Sequence, residues 1–249
     1  MNDTSTVHTS DDRIKRMFAA GVHYGYSKAR RHPTTSPYVY GLKEKIEIID
    51  LTKATELLDH AKAFAHTLGS EGKTLLLVGG KHEARASVRA AAERAGLPYV
   101  CGRWIGGALT NFPEIKKRID RLEDLRGRRE RGDLAKYTKR ERLMIDREIA
   151  KLEEKFGGLV GMEKVPDALF VIDPKYEHIA IAESLELKLP VIALANSDCN
   201  IGPIRYPIVG NDSARASIAL IVEEVVRAYE EGRKGAALAG QESAASKTA

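Results

Sequence analysis

Cysteine is scarce in this chain of 249 residues. Its two cysteines, Cys101 and Cys199, lie far apart in the sequence and form no C-x-x-C pair. Disulfide-rich scaffolds and thiolate zinc sites need more cysteines at closer spacing, so the sequence excludes both classes. The histidines show no H-E-x-x-H spacing either, and we therefore expect no bound metal.

Long apolar runs are also absent. No stretch approaches the roughly 18 apolar residues that a membrane-spanning helix needs. The N-terminus, MNDTSTVHTSDDR, lacks the apolar core of a signal peptide and contains acids that a transit peptide avoids, so we expect a cytoplasmic protein. A hydrophobic fraction of 43% predicts a globular fold, and a net charge of +5 favours polyanionic partners.

Short apolar runs alternate with amphipathic segments along most of the chain. The runs that we predict to be buried strands are IEIIDL (46–51), TLLLVG (74–79), PYVC (98–101), ALFVID (168–173) and PVIALA (190–195). Helical patterns lie between them. This β-α-β-α order predicts an α/β protein, with a parallel sheet that has helices on both faces.

One long segment, 111–158, contains no strand signal. Apolar residues recur there at steps of three and four on either side of a glycine-containing loop, which predicts an antiparallel coiled-coil hairpin. The predicted organisation is a flexible N-terminus, a sheet domain interrupted by the hairpin, and a disordered tail. Their bounds are 1–16, then 17–110 with 159–231, then 111–158, and finally 232–249.

The hairpin is rich in cations. Between Glu114 and Lys155 there are fifteen Lys and Arg against eleven Asp and Glu, so this segment contributes +4 to the net charge of the chain. A solvated coiled coil would account for such a surface. Clusters of cations also suit RNA phosphates, because together they displace condensed counterions. The predicted RNA-binding residues of the hairpin are Lys116, Lys117, Arg118, Arg121, Arg128 and Arg129.

A second basic segment, GVHYGYSKARRHPTTSPYVYG (21–41), contains no acid. Its cations alternate with tyrosines, a combination that suits phosphate pairing and base stacking in single-stranded RNA. The alternative is an irregular arm whose tyrosines pack on the domain. Lys28, Arg30, Arg31 and His32 are the residues that we predict to bind RNA here.

The stretch RWIGGALTNF (103–112) combines a cation, an indole ring and two glycines immediately before the hairpin. We predict that Arg103 binds phosphate. The neighbouring residues are predicted to form a structural joint, with Trp104 packed as a wedge, Gly106 and Gly107 making the bend, and Thr110 or Asn111 capping the first helix.

An enzymatic alternative rests on VGGKHE (78–83), where glycines and Lys81 precede a helix and could hold a phosphate. The P-loop spacing G-x-x-x-x-G-K-[ST] is not present, and neither is G-x-G-x-x-G, so we expect no cofactor. A phosphate- or nucleotide-binding α/β enzyme nevertheless stays open as an alternative. A protein-interaction module that uses the hairpin without RNA is a third. If RNA is the partner, Lys81 is a further candidate contact.

Several motifs occur in the order typical of one protein family. RWIGGALTNF (103–112) and PDALFVIDP (166–174) are the most specific of them. The others include GVHYG (21–25), VGGK (78–81), YTKRE (137–141), LEEKFGG (152–158), HIAIAE (178–183), PVIA (190–193) and PIVGND (207–212). On these motifs, which span most of the chain, the sequence resembles the bacterial family of small-subunit ribosomal protein two.

The resemblance implies a flavodoxin-like or Rossmann-like parallel sheet with an inserted coiled-coil hairpin. It also implies a structural role without catalysis. Members bind small-subunit ribosomal RNA between head and body, contact neighbouring small-subunit proteins, and help to dock small-subunit protein one. This chain departs from the pattern at Tyr26, where the family has His, and in the loop 196–202, which is less acidic than in the family.

Overall fold

The protein, seen in a computed structural model, is described for residues 4–245, with side chains described for 12–237. The helices are α1 (Thr4–Ala19), α2 (Leu51–Ser70), α3 (His82–Ala95), α4 (Phe112–Glu130), α5 (Lys139–Phe156), α6 (His178–Glu186) and α7 (Arg215–Ala245). The strands are β1 (Tyr24–Ser27), β2 (Val39–Lys43), β3 (Ile46–Ile49), β4 (Leu75–Val78), β5 (Tyr99–Val100), β6 (Ala168–Ile172), β7 (Val191–Ala195) and β8 (Tyr206–Val209).

The main sheet has five parallel strands in the order β5-β4-β6-β7-β8, with helices around it. One row of facing residues crosses the whole sheet and consists of Tyr99, Leu77, Phe170, Ile192 and Tyr206. Counted along the chain, the strand order is 2-1-3-4-5, which is the flavodoxin-like order. The predicted fold class is therefore confirmed.

Four of the predicted strands form β4 to β7, whereas the fifth parallel strand, β8, was not predicted. Its sequence, YPIV, contains Pro207 and is only half buried at its first two positions. Proline cannot donate a hydrogen bond to a neighbouring strand, so it is tolerated because β8 lies at the edge of the sheet.

The prediction that 46–51 belongs to the parallel sheet is wrong. β3 is the central strand of a separate antiparallel sheet in the order β1-β3-β2. Its exposure alternates, because Glu47 and Ile49 are buried while Ile46 is exposed, and this is typical of a strand with one solvated face. A two-residue turn at Glu44 and Lys45, both with positive φ, joins β2 to β3.

α4 and α5 are inserted between β5 and β6, where the sequence predicted two helices. α5 begins at a capping box in which Thr138 and Glu141 bind each other's backbone amides. Leu122, Leu125 and Ile149 form a small apolar cluster between the two helices, separate from the main core. The insertion therefore has its own interior.

Flexible ends were predicted for 1–16 and 232–249, and the described part of these segments belongs to helices α1 and α7. The N-terminal helix α1 is anchored through its last turn, because Met17 is fully buried and Arg16 lies 3.2 Å from a carboxylate oxygen of Glu224. Residues 1–3 and 246–249 of these predicted segments lie outside the described residues.

At the other end, α7 continues past the predicted boundary at residue 231 because it packs closely on α2. A Cβ atom on Gly232 would lie 2.0 Å from the carbonyl oxygen of His66, so glycine lets the two helix backbones touch. Arg233 Nη1 donates to the carbonyl oxygen of Ala95 at 2.8 Å, at the end of α3. Contacts of α7 with α2 and α3 therefore continue as far as Arg233.

Candidate nucleic-acid interface

The carboxyl ends of β4 and β6 meet where proteins with this strand order bind ligands. Gly79, Gly80 and Lys81 follow β4 and lead into α3. The Gly80 amide, which could bind a phosphate, donates instead to Glu177 Oε1 at 2.8 Å. A Cβ atom on Gly80 would lie 2.4 Å from the carbonyl oxygen of Gly102, so close packing requires this glycine. The anion position at the start of α3 is therefore taken by the protein's own carboxylate.

Lys81 is also held internally. Its Nζ lies 3.1 Å from Asp173 Oδ2 and 3.2 Å from Asp212 Oδ2. Burial opposes the charge on Lys81, but the two carboxylates outweigh burial and raise its pKa above the ordinary value. Burial and the neighbouring charge of Asp173 raise the pKa of Asp212 to about 6. This geometry does not support the predicted phosphate contact at Lys81, because its ammonium already serves two acids.

The glycine-containing stretch before α4 wraps around one carboxylate, that of Glu183 on α6. Oε1 accepts from Trp104 Nε1 at 3.0 Å and from the Gly107 amide at 2.8 Å. Oε2 accepts from the Leu109 amide at 2.9 Å and from the amide and hydroxyl of Thr110 at 3.2 and 3.3 Å. Burial acts to raise the pKa of Glu183, but these donors outweigh it, so the pKa is lowered and the carboxylate stays ionised.

This arrangement refines the predicted joint. Trp104 is buried, as a packed wedge would be, and Gly107 has a φ of +84° that favours glycine. A Cβ atom on Gly106 would meet no atom within 4 Å, so the bend requires only one of the two glycines. Asn111 occupies the position before α4, but its side chain makes no capping hydrogen bond. The Glu183 carboxylate binds the loop amides instead.

Arg103 lies beside this joint and is exposed. Among the described residues no acid lies within ion-pairing distance of it, which is the state expected of a cation that can accept a phosphate. It lines a cleft of about 1220 Å³ between α3 and the base of the two-helix insertion. Other cations on the wall of this cleft are Arg85, Arg89, Arg126, Lys155 and Lys164.

The predicted RNA-binding residues of the N-terminal arm have different environments. Lys28 and Arg30 are exposed and have no acidic partner among the described residues, and Arg30 lies over the ring of Tyr26 at 5.5 Å from its centroid. His32 Nδ1 lies 2.8 Å from Thr34 Oγ1 and so helps to order the arm. Lys28 and Arg30 are therefore the arm residues best placed to meet RNA.

Arg31 has a partner inside the protein. Its Nη1 lies 3.3 Å from Oε1 of Glu47, whose side chain is only 1% exposed. Neither carboxylate oxygen of Glu47 has a hydrogen-bond donor among the described residues, so Arg31 supplies the compensating charge. Arg31 therefore has a structural role, and its pairing with Glu47 argues against the predicted RNA contact.

Replacing Arg31 with Met is expected to lower the free energy of unfolding by about 1 to 2 kcal/mol, since a buried carboxylate loses its cation. Thermal unfolding followed by circular dichroism measures the loss. Lys28→Met, which removes an exposed cation from the same arm, is the control and should leave the unfolding midpoint nearly unchanged. Equal midpoints for the two variants would contradict the structural role of Arg31.

The predicted cations of α4 are mostly engaged in ion pairs. Lys116 lies 3.2 Å from Asp120, Lys117 lies 2.5 Å from Glu114, and Arg121 lies 3.1 Å from Glu148 on α5. Arg128 is paired with Asp124 at 3.0 Å. Within the described residues, Arg118 and Arg129 alone of the six predicted hairpin cations lack an acidic partner.

α5 shows the opposite situation. None of its cations forms an ion pair with an acid inside the described part of the chain, and all are exposed. They are Lys139, Arg140, Arg142, Arg147, Lys151 and Lys155. None of them was predicted from the sequence to bind RNA. The clustering of cations along a sequence does not show which of them form ion pairs with nearby acids.

The model of the family described as "Ribosomal protein S2" matches residues 17–232, which include the whole parallel sheet and both inserted helices. The chain belongs to the ribosomal protein S2 family. The motif-based resemblance is thereby confirmed.

The chain is similar to proteins named small ribosomal subunit protein uS2 from several bacteria. It is 43% identical to that of Sulfurimonas denitrificans, over 88% of this chain and 85% of the relative. It is 42% identical to that of Geotalea uraniireducens, over 90% and 87%. For Coprothermobacter proteolyticus the identity is 40%, over 89% and 83%.

Two acids that bind backbone amides of other segments, Glu177 and Glu183, were not predicted from the sequence. Glu183 ends the otherwise apolar run IAIAE, and an isolated acid in an apolar helical run was a usable signal for a buried anchor. Nothing in the sequence around Glu177 indicates a similar role, because that role depends on a hydrogen bond from the amide of Gly80, in the loop after β4.

Among the described residues, no group of three or more His, Cys, Asp or Glu side chains could hold a metal ion. Among the described helices, none combines the length and apolar character needed to cross a membrane.

Proposed function

We propose that this protein is a structural component of the small ribosomal subunit that binds small-subunit ribosomal RNA in the cytoplasm. Membership of the S2 family and the names of its relatives support this assignment. The finer proposal, carried from the family, is a position between head and body with neighbouring small-subunit proteins as further partners. The protein performs no catalysis in this role.

The observation that carries the RNA-binding proposal is a set of exposed cations that pair with no acid among the described residues. The arm contributes Lys28 and Arg30, and the joint contributes Arg103. α4 contributes Arg118 and Arg129. A polyanion that binds these cations gains electrostatic attraction without first breaking an ion pair among the described residues.

The residues at the carboxyl ends of β4 and β6, where proteins with this strand order bind ligands, argue against an enzymatic function. Glu177 binds the Gly80 amide, and Asp173 and Asp212 bind Lys81. A nucleotide phosphate would have to displace these carboxylates and would meet their negative charge. The site therefore stabilises the fold instead of binding a substrate.

We also propose that small-subunit protein one docks on the exposed apolar surface of the antiparallel sheet. Tyr40 is 81% exposed and Leu42 is 55% exposed, and both lie on β2, which is an edge strand. Tyr24 and Ile46 are also exposed, but they lie on the other face of the sheet, because Leu42 pairs with Glu47 whereas Ile46 pairs with Lys43. Exposed aromatic and apolar groups together mark protein contacts more than RNA phosphate contacts.

The proposal is tested by adding the purified protein to small subunits from a bacterial strain depleted of its own S2-family protein. We expect stoichiometric cosedimentation with the depleted subunits and none with large subunits. The control is the same chain added to small subunits that retain their S2-family protein, where the site is occupied. Failure to bind depleted subunits, or equal binding to large subunits, would contradict the assignment.

A further inference from the structure

One face of α5 carries a line of exposed cations that no acid in the described chain pairs with. Arg140, Arg147, Lys151 and Lys155 recur at steps of seven, four and four residues, which places them on one side of an α-helix. Ile149 and Phe156, the buried residues of α5, lie on the other side. We call these four cations the α5 ridge.

The ridge differs from α4 in the cost of binding a phosphate. On α4 a phosphate that recruits Lys116, Lys117 or Arg121 competes with a carboxylate within 3.2 Å. Exposed ion pairs are weak, but the displaced acid then stays close and repels the phosphate. On the ridge a phosphate gains the attraction of each cation without displacing a partner.

The dimensions of the ridge suit an extended polyanion. At about 1.5 Å per residue, successive cations from Arg147 to Lys155 are roughly 6 Å apart along the helix axis, and the whole ridge covers roughly 22 Å. Such a length faces several phosphates of one nucleic-acid strand. Met144 lies in the same row and is 58% exposed, so it adds no competing charge.

The ridge ends at a cleft that continues the basic surface. Lys155 lines the cleft of about 1220 Å³ together with Arg103 and Arg89. Glu153 and Glu154 also line it, and Glu153 is already paired with Arg126. The cation surface therefore runs from the far part of α5 to the joint before α4.

We propose that the phosphate backbone of small-subunit ribosomal RNA lies along the α5 ridge and ends at Arg103 in the cleft. This inference rests on the proposed RNA-binding function and names the surface that carries it. It moves the main contact of the two-helix insertion from the sequence-predicted cations of α4 to α5.

The test compares two full-length variants that each lose three positive charges. The ridge variant is Arg147→Gln/Lys151→Gln/Lys155→Gln, and the matched control is Lys116→Gln/Lys117→Gln/Arg121→Gln. Affinity for protein-free small-subunit ribosomal RNA is measured from about 50 to 300 mM salt. Each phosphate contact contributes about 0.7 to 0.9 to the slope of log affinity against log salt.

The ridge variant is expected to have a slope shallower by about 2 to 3 and an affinity at least about tenfold lower at low salt. The α4 variant should change the slope by less than about 1. Lys151→Gln alone should remove about one third of the ridge effect. Thermal unfolding checks that the variants, all made at exposed or half-exposed positions, stay folded.

Two outcomes would overturn the inference while leaving the proposed function standing. They are a ridge variant with an unchanged slope, and an α4 variant whose slope falls as far as that of the ridge variant. If the wild-type protein itself shows no preference for small-subunit over large-subunit ribosomal RNA, both the inference and the proposed function fail.

Discussion

Glu183→Gln is expected to lower the free energy of unfolding by at least about 3 kcal/mol. Each carboxylate oxygen of Glu183 accepts at least two hydrogen bonds. A glutamine keeps one acceptor oxygen but turns an NH2 group toward donors, whether those of Trp104 and Gly107 or those of Leu109 and Thr110. Buried donors without acceptors are costly, because water cannot reach them. Chemical denaturation with urea measures the change.

The matched control is Glu186→Gln, which makes the same chemical change at an exposed position of α6. We expect it to alter stability by less than about 0.5 kcal/mol. Because the folded-state pKa of Glu183 is lowered, its stabilisation is present above the unfolded pKa and disappears as the pH falls through the folded value. The difference between wild type and Glu183→Gln should therefore shrink in acid. A variant as stable as the control at neutral pH would refute the anchoring role.

Lys81→Met is expected to have a similarly large effect, a loss of about 3 to 5 kcal/mol in the free energy of unfolding. The substitution leaves Asp173 and Asp212 facing each other without a cation, and Asp212 has a side chain that is only 1% exposed. The control is Lys175→Met. Lys175 pairs with Asp198 at 2.7 Å but is itself 59% exposed, so this loss should be about 0 to 1 kcal/mol.

A second variant separates charge repulsion from lost packing. Lys81→Met/Asp212→Asn removes one of the two unpaired acids and should be more stable than Lys81→Met alone. The pKa of Asp212 is already raised to about 6 in the wild type, so the folded protein binds its proton more tightly than the unfolded chain does. Its contribution to stability is therefore lost as the pH rises from about 4 through 6. Lys81→Met should recover stability as the pH is lowered toward 5, and a loss that is independent of pH would argue against two unpaired acids.

Elements with a strong local signal were predictable from the sequence. β4, β6 and β7 are continuous apolar runs, and α4 and α5 have apolar residues at steps of three and four. The pattern of apolar residues therefore indicated a parallel sheet with a helical insertion. β3 was misassigned because an apolar run does not reveal its neighbours. Its place depends on pairing with β1 and β2, and on a buried face that includes Glu47.

The candidate site was predictable only in part, because sequence shows charges but not their partners. Lys81, Arg31 and Arg121 looked equivalent to Arg103 as free cations, yet each of the three is engaged by an acid distant in the sequence. The α5 cations were overlooked since they are interspersed with acids along the sequence. In the described residues none of those acids pairs with an α5 cation, and Glu148 and Glu153 pair with Arg121 and Arg126 of α4 instead. Their availability could be recognised only once both helices and their ion pairs were in place.

The most direct test of the central claim is a salt titration of wild-type binding to small-subunit ribosomal RNA, with large-subunit ribosomal RNA as the comparison. We predict preferential binding to the small-subunit RNA. We also predict that log affinity falls against log salt with a slope of about −3 or steeper, as several phosphate contacts require. Binding that is insensitive to salt, or equally tight to both RNAs, would contradict the claim that this chain is a structural RNA-binding protein of the small subunit.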